Sequence, residues 1–439
     1  MKKLIIASLA AVTSATLTAA VPEISGVTMA QSSSRLVTIT YTLADAPAVV
    51  TVDVQTNATA NAASDDPGWI SIGGEAVWNA TGDVWKQVET GTRTITWRPD
   101  LSWPDHKIAD GGARAVVTAW ATNNTPNYMV VDISDAAQPN TQTYYPDADF
   151  VPGGVTNSLY KTTTFLMRKI MAKNVTWTMG SVAESGRIAA REKTHQVTLD
   201  GNYYIGVYPV TQTQWQLLTG YNPSNFTTDR TMRPVEKVCY RDIRQGKGTE
   251  STAASATGGV YPAEPYGDSF LGLLRSKTGI DFDLPSEAQW EFAARAGNGE
   301  GYWGDGSAMR ISSNEDVGLD LLGRYQCNGG KVGADSGTNP ESDCEATNGT
   351  AIVGSYRPNA WGLYDVHGNV WELCLDKFLE NIGNLNGAVY TGSSSYYVFR
   401  GGGYDASADW CRPAYRGRSQ PQGRGAAVGF RVACTAGLQ

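Results

Sequence analysis

Between residues 37 and 54 the chain alternates in a way that leaves little freedom of fold. Val37, Ile39, Tyr41 and Leu43 are separated by Thr38, Thr40 and Thr42. After Ala46-Pro47 the pattern resumes, with Val50, Val52 and Val54 around Thr51 and Asp53. A period of two puts every apolar side chain on one face, so each run reads as a half-buried strand that needs an apolar cover. Further β-rich runs lie at 93–97, 115–120 and 128–133, with Gly, Pro and Asn between them. Together they predict an all-β sandwich over 24–135, similar to fibronectin-type or immunoglobulin-like modules. Nothing in this stretch carries chemistry, so a spacer or docking role is expected of it.

A chain of 439 residues exceeds what one core usually organises. Residues 136–160, rich in Pro, Asn and Gly, read as a linker to a second domain over 161–439. Only 18% of residues are charged and 48 are glycine, which predicts turns and loops rather than long helices there. Two short helices still announce themselves. Thr211-x-x-Gln214 and Ser286-x-x-Gln289 are capping boxes, with Gly220 and Gly297 as stops.

The net charge of −8, with Lys and Arg scattered, argues against nucleic acid as a partner. Residues 1–20 read as a secretory signal: Lys2 and Lys3, an apolar run from Leu4 to Val12, then small residues at Thr18 and Ala20. No later segment is apolar enough to span a bilayer, so a secreted, periplasmic or cell-surface location is expected. Export permits disulfides. Cys239, Cys327, Cys344, Cys374, Cys411 and Cys434 all lie in the second half, and Cys327 with Cys344 is the most local pairing.

Several segments of the second domain occur in a telling order. They are Thr176-Trp177-Thr178-Met179-Gly180-Ser181, Tyr203–Thr211, Arg233–Val238, Leu284–Arg295, Asn359–Glu372 (the most specific), Phe399-Arg400-Gly401-Gly402 and Gly429–Ala433. On these the domain resembles the formylglycine-generating-enzyme, or sulfatase-modifying-factor, family. The resemblance implies an α+β, C-type-lectin-like fold, and it implies that Arg431 pairs with a carboxylate. In that family copper is held by two cysteines five residues apart after the Arg-Gly-Gly segment. Here the second position is Cys411 and the first is Ala406, which has no sulfur to offer. Copper is therefore not expected unless Cys374 or Cys434 approaches Cys411, and a Cys374–Cys411 disulfide is the simpler expectation for such a contact. The family's iron-dependent sulfur–carbon bond-forming enzymes are a poor match, because His106, His195 and His367 are the only histidines.

The resemblance also implies a structural calcium held by Asp365 and Glu372 side chains and the main-chain oxygens of Gly368 and Val370. Tyr404, Trp410, Arg412, Arg416 and Arg418 are the candidate ligand contacts, rich in aromatic area and positive charge. The expected function is a non-catalytic module binding a glycan, peptide or protein. The alternatives are a formylglycine-type oxidase acting through Cys411 and a structural surface or adhesion protein.

Overall fold

The computed structural model describes residues 20–134, 138–226, 231–245, 264–312, 314–328, 349–383 and 385–438. The stretch expected to be an export signal lies outside them except for Ala20, as does Cys344.

The alternating runs form the two faces of a β-sandwich. One antiparallel sheet orders Glu23–Gln31, Val37–Ala44, Gly91–Trp97 and Thr81–Gly82. The other centres on Ala48–Thr56, paired along its whole length with Ala113–Ala121. Ile39, Tyr41 and Leu43 of the first sheet share one buried cluster with Val50, Val52 and Val54 of the second. The strand Ala48–Thr56 is covered on both faces. Its opposite side sends Val49 into the core of the second domain, and Thr51 accepts a hydrogen bond from Trp120 Nε1 at 2.9 Å.

The stretch read as a linker is packed instead. Thr143–Tyr145 pairs with Tyr128–Asp132, which pairs in turn with Thr164–Ile170. Tyr203–Gly206 and Ala433–Thr435 complete a five-stranded antiparallel sheet. Tyr144, Tyr145, Phe150, Val151 and Tyr160 are buried. Their apolar area holds the chain against both cores, which Pro and Asn content in the sequence does not reveal.

Both predicted helices form with reciprocal capping boxes. Gln212–Thr219 stops at Gly220 in the left-handed conformation. Glu287–Arg295 stops one residue before its glycine, with Ala296 left-handed at φ 49°. A second antiparallel and parallel sheet, Gly417–Ser419, Tyr397–Arg400, Trp371–Lys377 and Val428–Gly429, lies across this helix.

Glu287, Glu291 and Arg295 follow one another at four-residue spacing, so they share one face of the helix. That face is buried. Arg400 donates to Glu287 at 2.9 Å and to Glu291 at 2.6 Å. Arg416 donates a second guanidinium to Glu287, its Nη2 lying 2.8 Å from Oε2. Burial alone would raise the Glu291 pKa, but Arg295 and Arg400 outweigh it and hold the group at about 2. Charges taken out of water persist only when paired in this way. Replacing Arg400 with Met takes one of two cations from each of two buried carboxylates, leaving Glu287 to Arg416 and Glu291 to Arg295, so a loss of about 3–5 kcal/mol is expected in urea denaturation. Arg418→Ala, at a 43% exposed side chain, is expected to change stability by less than about 0.5 kcal/mol.

Candidate functional site

Cys411 ends a 3₁₀ turn, Ala408–Cys411, between the Arg400-containing strand and Gly417–Ser419. It is fully buried. Its sulfur packs onto Gly402, whose φ of 76° and missing side chain make the room: a Cβ there would lie 2.4 Å from Sγ. Burial first, and then the carboxylates of Asp409 and Asp405, push the thiol pKa well above its ordinary range. Cys411 is therefore a protonated, enclosed thiol, the opposite of an activated nucleophile.

His367 holds the same turn. Its Nε2 accepts from the Gly304 amide at 3.0 Å. Nδ1 lies 3.2 Å from the Cys411 carbonyl and must carry the proton, because a carbonyl only accepts. Burial lowers the His367 pKa to about 4, which fits a neutral ring. The histidine thus ties the Cys411 backbone to the loop after the helix Glu287–Arg295.

The five candidate ligand contacts divide. Arg412 and Arg416 point inward, not toward a ligand. Arg412 is fully buried between Glu184 at 2.7 Å and Glu192 at 2.8 Å. Arg416 is spent on Glu287, on the carbonyls of Arg191 and Leu379, and on the Phe378 ring at 4.9 Å. Residue type signalled a basic surface, but acidic partners more than a hundred residues away in sequence turned it into a clamp. Tyr404 is half-buried, its ring edge-on to Phe226 with centroids 5.1 Å apart. Arg418 stays at the surface over Tyr396. Trp410 is 44% exposed. Its ring stacks on Tyr415 at 5.7 Å and lies 6.2 Å from Trp371, so it stands on an aromatic base.

Asp365 and Glu372, the carboxylates expected to hold calcium, both have partners within the protein. Both Glu372 oxygens accept from Arg431, at 2.5 Å each, and Oε2 also accepts from Trp290 Nε1 at 2.6 Å. Asp365 accepts from the Gly354 amide at 2.7 Å, and the Gly368 carbonyl accepts from the Val370 amide at 2.9 Å. A guanidinium occupies the carboxylate a hard cation would need, so the residues as arranged do not fit calcium. Among the described residues no three His, Cys, Asp or Glu side chains gather at a metal-sized centre. Cys374 and Cys411 carry free thiols and belong to separate clusters, so the expected disulfide between them is absent. Ala406 is buried in the place of the family's other cysteine.

A domain of short strands and ordered loops, clamped by buried arginine–glutamate pairs around an enclosed cysteine, is the class this arrangement defines. Residues 135–436 match the sulfatase-modifying factor enzyme 1-like domain, and the chain belongs to that family. It is 28% identical over 245 residues to the chaperone protein LppX of Paenibacillus barcinonensis, covering 54% of this chain and 81% of that one. It is 36% identical over 163 residues to the formylglycine-generating enzyme of Streptomyces coelicolor, covering 35% of this chain. The match spans 47% of that enzyme's length, about half. Among solved structures, PvdO from Pseudomonas aeruginosa is similar at 23% identity and a TM-score of 0.45, over 62% of this chain and 94% of that one.

Two outcomes are expected. EDTA leaves the melting temperature unchanged, as read by differential scanning fluorimetry. The second concerns His367, whose pKa is about 4 folded against 6.5 as the ordinary value. Between those limits the unfolded chain binds the extra proton, so the histidine's contribution is intact above pH 6.5 and is lost as pH falls toward 4. The melting-temperature advantage of the native protein over His367→Gln is therefore expected to shrink through that window.

Proposed function

We propose that the chain is a non-catalytic binding module that displays the Tyr404–Ala427 stretch to a peptide or protein partner, with Trp410 as the central contact. The observation that carries the reading is Trp410, exposed yet held on Tyr415 and Trp371. A large aromatic ring already fixed in place loses little entropy on binding and offers wide contact area. Arg412 and Arg416 support this from below by anchoring the segment that follows Trp410 through buried ion pairs. A protein partner accords with the chaperone name borne by the Paenibacillus relative. The N-terminal signal motif would place the module outside the cytoplasm.

An oxidase reading draws on the likeness to formylglycine-generating enzymes. It asks Cys411 to act as a thiolate at a position where burial keeps it protonated and Ala406 supplies no second sulfur. Two measurements separate the readings. Affinity capture with the intact protein is expected to recover a partner that Trp410→Ala binds at least about tenfold more weakly, with unchanged melting. Cu(I) titration of the reduced protein is expected to give the same uptake with Cys411→Ala. A stoichiometric copper site lost in Cys411→Ala would overturn the binding reading in favour of the oxidase.

A further inference from the structure

A cavity of about 360 Å³ opens where the sandwich meets the second domain, within the range of about 300–1,000 Å³ typical of small-molecule sites. Three backbone hydrogen bonds frame it. Tyr144 N donates to Trp85 O, Asn140 N to Thr278 O, and Leu438 N to Thr122 O, each at 2.8 Å. These bonds join the sandwich, the five-stranded sheet, the helix Phe270–Thr278 and the C-terminal segment, so the cavity is preformed by elements distant in sequence.

Its chemistry is selective. Gln87, Asn140 and Gln142 bring three side-chain amides to the wall, with the Tyr144 hydroxyl and Thr435 beside them. Met129, Ile280 and Leu438 supply apolar surface. Lys86 is the single charged residue among those lining the cavity. Gln142 donates through Nε2 to the Tyr144 hydroxyl at 3.3 Å, while its Oε1 is buried and accepts nothing.

We propose that this junction is a binding site for an uncharged carbohydrate unit. Each amide offers a donor and an acceptor, as does each sugar hydroxyl, so the two match in pairs. The apolar residues suit the C–H face of a pyranose ring. Neutral groups also cost far less to desolvate than ions, which disfavours phosphates and carboxylates at a wall so poor in charge.

The test is isothermal titration and ligand-observed NMR on the intact chain with D-glucose, D-galactose, N-acetyl-D-glucosamine and D-glucuronate. At least one neutral sugar is expected to bind more tightly than the glucuronate. Gln142→Leu is expected to weaken it about tenfold, and Leu438→Trp, which fills the cavity from its rim, to abolish it. The proposal is overturned if no neutral sugar binds, if glucuronate binds best, or if both variants bind like the native protein. The readout is sugar binding itself, so it stands apart from any partner recognised through Trp410.

Discussion

Glu287 and Glu291, one turn apart on a buried helix, set the terms for the second domain. Neither can stay ionised away from water without a cation; Arg295 of the same helix serves Glu291, and the C-terminal segment brings Arg400 to both and Arg416 to Glu287. Arg400 also donates to the carbonyls of Pro413 and Tyr415, so the guanidinium that neutralises the helix also shapes the loop carrying Cys411. Arg431 repeats the device on Glu372, reaching the carbonyls of Gly206 and Tyr364. Long irregular loops have few backbone ladders to hold them. Here charge pairing takes that part, and any shift in register would leave a buried charge without its partner.

What the sequence disclosed follows the range of the forces involved. The capping boxes at Thr211 and Ser286 were legible because donor and acceptor sit three residues apart. The strands at 37–43 and 50–54 were legible because burial on one face writes a period of two. The packing of 138–160 was not, since its tyrosines find their cover in strands on either side of it. The inward turn of Arg412 was equally hidden, its partners Glu184 and Glu192 lying 228 and 220 residues away in the chain. His367 stood within the most specific segment, yet its task depends on the Gly304 amide 63 residues earlier. No local pattern carries that information.

The same packing bears on chemistry at Cys411. A reacting thiol needs a thiolate fraction and a route for its partner. The sulfur lies against Gly402, and the turn bearing it is held by His367 through the carbonyl and by Arg412, the next residue, through two glutamates. Opening the turn would therefore break a neutral hydrogen bond and expose or strand a buried ion pair at once. Removing one partner from such a pair costs about 3–5 kcal/mol, enough to keep the open form below roughly one molecule in a hundred. What the turn presents without any opening is Trp410, the neighbour of Cys411 on the other side. The clamp that seals the sulfur is thus the clamp that steadies the indole beside it.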